Sequence, residues 1–182
     1  MSHVRPCALP EAALLRKYQD AKAYTDCYVT EVTGAVSQQA FVEAFYTTPL
    51  FKLERTLLRW FVTRASTDLE ARQLAAGCID TFAAWRVEGR RTDQLMLTDF
   101  TGRTRSWLMV TPADDIATPP RTYLYFGSAV VAQSDPKTGR RRMGLVFQAL
   151  LGFHRLYSRL LLRAARSRIL AARQAGASRG TQ

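Results

Sequence analysis

The chain has 182 residues, of which 47% are hydrophobic and 23% charged, and it carries a formal net charge of +11. That length fits one domain with a continuous core, and that composition argues against disorder over most of the chain. Its three cysteines, Cys7, Cys27 and Cys78, show no CxxC or Cys/His spacing, so neither a disulfide framework nor a zinc site is indicated.

The positive charge is unevenly placed. From Pro136 to Gln182 there are Lys137 and ten arginines with no acid, while the fifteen cations upstream balance the fifteen acids. The basic character therefore belongs to the C-terminal quarter alone, which bears on whether it marks a polyanion partner. The opening MSHVRPCALPEAALLRKYQ lacks the uninterrupted apolar run of a secretory signal. Gln148, His154 and Arg155 break the best candidate for a membrane-crossing stretch. The expected location is cytoplasmic, peripheral at an inner membrane at most, with reduced cysteines.

In chain order, residues 1–22 are expected as an N-terminal extension, partly flexible, in which Glu11 to Lys22 has helical composition. Tyr24 to Val32 is β-branched and aromatic and ends at Thr33-Gly34, which predicts a first strand. Ser37 can cap a helix carrying Phe41, Ala44 and Phe45, and Thr48-Pro49 opens a second helix from Leu50 to about Val62. Thr67 and Glu70 have capping-box spacing and Gly77 is a natural stop, which brackets a third helix over 68–76. The period then changes to two over 79–88, 94–99, 104–110 and 122–131, giving antiparallel strands and five strands in all. Phe100-Thr101-Gly102-Arg103 is short enough for a hairpin, and Ser134 to Gly139 reads as a loop. The last element, Met143 to about Ala172, is an amphipathic helix. Leu150, Tyr157, Leu161 and Ala164 fall on its apolar face, flanked by Phe153 and His154, with Arg155, Arg159, Arg163 and Arg166 opposite. Residues 173–182 are expected as a flexible basic tail.

A strand, short helices, an antiparallel run and a long final helix follow the order of the helix-grip fold. The stretches AFYTTPLFKLER, FAAWRVEGR, RTRSWLMV, YLYFGSAVV and FHRLYSRLLLRAA resemble an uncharacterised bacterial family of small proteins in the START-like (SRPBCC) superfamily. The resemblance covers roughly Tyr24 to Ile169. It implies an α+β domain over 23–172, with a curved antiparallel sheet wrapped around the C-terminal helix and a hydrophobic cavity between them. START-like domains commonly have seven strands against the five readable here, and a truncated sheet would shrink or open that cavity.

The aromatic supply suits such a cavity, and Trp85, Trp107, Tyr125, Phe153, His154 and Tyr157 are the expected ligand-binding residues, the ligand being a hydrophobic small molecule or lipid. His154 and Tyr157 are the candidate acid/base pair if the fold carries a cyclase- or dehydratase-type activity, since an imidazole titrates near neutrality. A lone histidine on an apolar face is more often a satisfied structural residue. Arg86 and Glu88 alternate with Trp85 and Val87, and the outward placement of the charged pair is favoured because buried charge is costly. Ser106 and Ser128 lack a GxSxG setting, and the scattered glycines form no phosphate-cradling loop, so serine-hydrolase and nucleotide chemistry have no support and no cofactor or metal is expected. The arginine stripe reads first as the solvated back of a packed helix, second as a contact for an anionic membrane surface or a partner, and third as a nucleic-acid contact.

Overall fold

A computed structural model describes residues 3–51, 67–113, 119–131 and 145–179, with side chains of the last helix described for 154–176 and 178. The elements in order are β1 (Arg5–Pro6), α1 (Arg16–Asp20), β2 (Tyr24–Thr33), α2 (Gln38–Tyr46), α3 (Asp68–Ala76), β3 (Thr81–Phe82), β4 (Trp85–Arg90), β5 (Gln94–Asp99), β6 (Thr104–Pro112), β7 (Arg121–Val130) and α4 (Leu145–Arg179). The strands form one antiparallel sheet in the order β1-β2-β7-β6-β5-β4-β3. The chain is therefore an α+β protein whose C-terminal helix packs on a seven-stranded sheet.

Two features raise the strand number above the five readable in the sequence. The leading segment contributes β1, which pairs Pro6 with Tyr28 and Arg5 with Val29 on the outer edge of β2. The run 79–88 is not one strand, because a tight turn at Ala83 and Ala84 folds β3 back on β4 and pairs Phe82 with Trp85. Ala83 takes the turn at φ +52°, a conformation more often given to glycine or asparagine, so the sequence carries no ordinary turn signal there.

The capped helices follow the expected chemistry. The Ser37 hydroxyl accepts from Ala40 N at 3.1 Å, the Thr67–Glu70 capping box is closed in both directions, and Gly77 ends α3 at φ +80°. Thr48 Oγ1 accepts from Phe51 N at 3.2 Å and starts a helical turn at 49–51. The rest of the helix expected to about Val62 lies outside the described residues, as does the loop at 134–139. Helix α4 runs on to Arg179, beyond the expected end near Ala172.

Alternation divides the sheet into two differently covered faces. On one, Tyr28, Val32, Leu108, Leu124 and Phe126 pack against Phe41 and Phe45 of α2 and Leu161, Leu162, Ala165 and Ile169 of α4. On the other, Cys27, Met96, Trp107, Met109 and Ala129 lie beneath Leu9, Ala13 and Leu15 of the leading segment. That segment is therefore a packed cover. Gln94, 1% exposed, fastens it by accepting from Leu14 N at 2.9 Å and donating to Ala12 O at 3.0 Å, while the same Oε1 takes the Trp107 indole proton at 2.9 Å.

A second fastening is ionic. Glu88 meets Lys17 at 2.7 Å and Arg105 at 3.0 Å and accepts from the Tyr18 hydroxyl, while Arg86 is exposed. The expected outward placement thus holds for Arg86, whereas Glu88 turns toward the cover. Burial pushes the Glu88 carboxyl up, but the hydrogen bonds from Lys17 and Tyr18 and the Arg105 charge outweigh it and hold the carboxyl below its usual range. A group whose folded pKa is depressed adds stability above its unfolded pKa and loses it as pH falls. Protection of the α1 amides, taken as their exchange relative to that of an unstructured chain at the same pH, is expected to fall as the pH drops through the carboxylate range in the native chain, and Glu88→Gln should remove most of that fall.

At Gly127 a Cβ would lie 2.9 Å from Asp26 O, 2.9 Å from Leu15 Cδ2 and 3.0 Å from Trp107 Cε3. The first of these is strand backbone and cannot yield cheaply. Gly127→Ala is expected to cost about 1–3 kcal/mol in urea unfolding, with the loss concentrated on the face covered by the leading segment.

Candidate functional site

Ten consecutive residue pairs join β2 to β7, and that register sets Asp26 directly opposite Ser128. Both lie one step of two along their strands from core positions, Asp26 from Tyr28 and Ser128 from Phe126, so both point to the face covered by α4. His154 reaches them from the first half of that helix. The Ser128 hydroxyl donates to Asp26 Oδ1 at 2.6 Å, and the same carboxylate oxygen accepts from Ser128 N at 3.1 Å. His154 Nε2 lies 2.7 Å from Ser128 Oγ and 3.4 Å from Asp26 Oδ2. Since the serine proton is committed to Asp26, the contact with His154 is satisfied by an imidazole that carries its proton on Nε2. This is the reverse of a nucleophile relay, in which the imidazole would accept from the serine.

The surroundings grade from wet to dry. Side-chain exposure is 30% for His154 and 9% for Asp26, and Ser128 is buried. Tyr24 donates weakly toward Asp26 Oδ2 at 3.5 Å and accepts from Arg155 Nε at 3.4 Å. The Tyr28 phenol is pushed up to about 12, by burial first and then by the Asp26 charge, so it stays a protonated donor at neutral pH. Further along the same interface, Thr30 Oγ1 on β2 and Ser158 Oγ on α4 are buried and have no hydrogen-bond partner. Orphaned buried hydroxyls are uncommon in a well-packed core.

The sequence-predicted ligand residues do not share one site. Trp107 and Tyr125 lie on the opposite face of the sheet from α4, where Trp107 is fully buried beneath the leading segment and its ring is 6.4 Å from that of Tyr125. The alternation of β6 and β7 decides this, because Leu108 and Phe126 take the helix-facing positions. Trp85 and Tyr157 pack against the helix-side core, and His154 joins Asp26 and Ser128. Phe153 is on α4, and its side chain lies outside the described residues. The arginine stripe also divides: Arg155, Arg159 and Arg163 are exposed, whereas Arg166 turns in and donates to Glu31 O at 2.9 Å.

The larger described cavity is elsewhere. A groove of about 810 Å³ runs between α2 and the second half of α4, with Val36, Ala40, Ala44, Ile169 and Ala172 as its apolar lining. Ser37, Glu43, Thr47, Arg168 and Arg173 supply its polar lining. Sequence reasoning missed this groove because its residues are small. They read as spacers within helices, and only the angle between α2 and α4 makes them a surface. It also missed Asp26 and the role of Ser128, since strand positions 102 residues apart give no local motif.

No family model, curated protein or solved structure matches this chain. No helix among the described residues is long and apolar enough to cross a membrane.

If the cluster is one network, its members are energetically coupled. A double-mutant cycle of Asp26→Asn and Ser128→Ala is expected to return a coupling of about 1–3 kcal/mol in urea unfolding, and His154→Ala should cost less than either single change because its ring is the most exposed member.

Proposed function

We propose that this chain is a START-like, helix-grip domain that binds an apolar or amphipathic small molecule or lipid in the groove between α2 and α4. The observation that carries this reading is the groove itself. Its volume lies within the range of small-molecule sites, and alanine, valine and isoleucine line it beside a few polar and charged groups, the composition such sites favour. The fold assignment is supported by the element order and by the long helix lying along β2 and β7. The seven-stranded sheet, in which the first long strand pairs with the last and a run of hairpins follows, supports it too. An alkyl or ring body would lie on Ala40, Ala44 and Ala172, and Arg168 favours an anionic group at the polar side.

The enzyme reading, a cyclase- or dehydratase-type activity on the same fold, is favoured by one observation. His154 is partly exposed and has two polar groups within reach, Ser128 and Asp26. In that reading His154, with its proton held on Nε2, is the acid/base group. The Tyr157 hydroxyl would assist from the next turn of α4. Contact with an anionic membrane is a weaker third reading, resting on exposed Arg155, Arg159 and Arg163.

The groove can be filled without disturbing the core, since Ala172 and Ala40 are exposed helical positions. Fluorescence titration with anilinonaphthalene sulfonate is expected to show saturable binding to the native chain, weakened at least about tenfold by Ala172→Trp and by Ala40→Trp with unchanged unfolding midpoints. Equal binding by all three proteins would end the groove reading, and His154→Ala should leave this titration unaltered.

A further inference from the structure

Away from the groove, the leading segment brings two cysteines together. Beyond the β1 pairing of Pro6 with Tyr28, the next residues in register are Cys7 and Cys27, and Cys7 N donates to Cys27 O at 3.0 Å. Directly opposed residues of an antiparallel pair have Cα atoms about 5.5 Å apart, inside the range a disulfide spans. The two Sγ atoms are 3.3 Å apart, within thiol hydrogen-bond reach, and both cysteines are free. Cys7 is partly exposed and Cys27 buried, while Cys78 is exposed and remote in sequence.

Beside this pair is a cleft of about 360 Å³ lined by Pro6, Cys7, Tyr24, Asp26, Arg155 and Arg159, among others, in which the Asp26 carboxylate is largely buried and already accepts from Ser128. Its exposed cations are the two arginines of α4. We propose that Cys7 and Cys27 are a thiol–disulfide couple, oxidised by a small carboxylate-bearing disulfide of the glutathione type that docks in this cleft against Arg155 and Arg159.

The division of labour follows from exposure. Cys7 is the accessible sulfur and attacks; Cys27 lies behind it and resolves. The contact from Cys27 lowers the Cys7 pKa, which favours the attacking thiolate, and the contact with Cys7, reinforced by burial, pushes Cys27 up and keeps it a thiol until Cys7 has reacted. In the first step the Cys7 thiolate forms a bond to one sulfur of the small disulfide, whose S–S bond breaks, and one small thiolate leaves and takes a proton from water. In the second, Cys27 gives its proton to solvent and its sulfur attacks that of Cys7, and the mixed disulfide breaks to release the second small thiolate. Two protein thiols are oxidised by two electrons, and one small disulfide is reduced to two thiols. The bond formed fixes the cover of the Trp107 face to β2 and closes the segment between Cys7 and Cys27.

The test uses the full chain incubated with glutathione disulfide, followed by alkylation and peptide mapping. The expected product is an intramolecular bond between Cys7 and Cys27 with Cys78 still alkylated, and a melting temperature raised by about 5–10 °C that is absent in Cys7→Ser. Cystamine, a cationic disulfide, should react at least about tenfold more slowly than glutathione disulfide, and Arg155→Ala with Arg159→Ala should narrow that gap. Three alkylated cysteines, or glutathione adducts without the intramolecular bond, would overturn the couple. Equal rates with the two disulfides would overturn the cleft as the docking place.

Discussion

The ten-pair ladder between β2 and β7 is the constraint on which the other features depend. It is the pairing of greatest reach in the chain, joining residues 24–33 to 121–130, and every other strand is added to one side of it or the other. Because its register is uninterrupted, one decision about alternation assigns every β2 and β7 side chain to a face, and a slip of one residue would exchange Tyr28 and Val32 for Cys27 and Glu31 on β2, or Leu124 and Phe126 for Tyr125 and Gly127 on β7. The same register places Asp26 against Ser128 and leaves the outer edge of β2 for β1, so the polar cluster and the cysteine pair both follow from it.

The two faces of the sheet are covered by unlike material. One carries α2 and α4, whose long apolar stripes bury Phe41, Phe45, Leu161 and Ile169 against the strands. The other carries a short leading segment with a single five-residue helix, whose buried apolar residues are Leu9, Ala13 and Leu15. Specific polar ties supplement that burial: the Gln94 amide, the Glu88 ion pairs and the short β1 pairing. The face with the weaker apolar cover is thus the one held by groups that pH and redox chemistry can reach.

Sequence reading recovered what is local. Helix caps at Ser37 and Thr67, the stop at Gly77, the strand from Tyr24 to Val32 and the amphipathic character of the last helix each follow from signals within a few residues. What it missed is set by distant partners or by the absence of a signal. β1 is two residues long and exists because the edge of β2 accepts it. The turn at Ala83 is imposed by pairing and carries no turn residue. Trp107 and Tyr125 look like cavity aromatics in composition, yet the parity of their strands sends them away from the helix. His154 was visible as a singular residue, while its partners were not, because the carboxylate and the hydroxyl stand on strands 102 residues apart and meet only through the sheet register.

The arginines of α4 bear on how the sheet ends. β1 pairs with β2 only at Tyr28 and Val29, which would leave the carbonyls of Glu31 and Thr33 open on an edge that another strand could take. Arg166 donates to Glu31 O, and Arg173 donates to the carbonyls of Thr33 and, just past the strand, Ala35. Guanidinium groups thus occupy acceptors that a neighbouring chain would need, and they bring to that border a charge that repels a second copy of the same protein. Part of the basic excess is therefore spent inside the fold, on backbone acceptors at the border of the sheet, where it blunts the edge of β2 against further pairing.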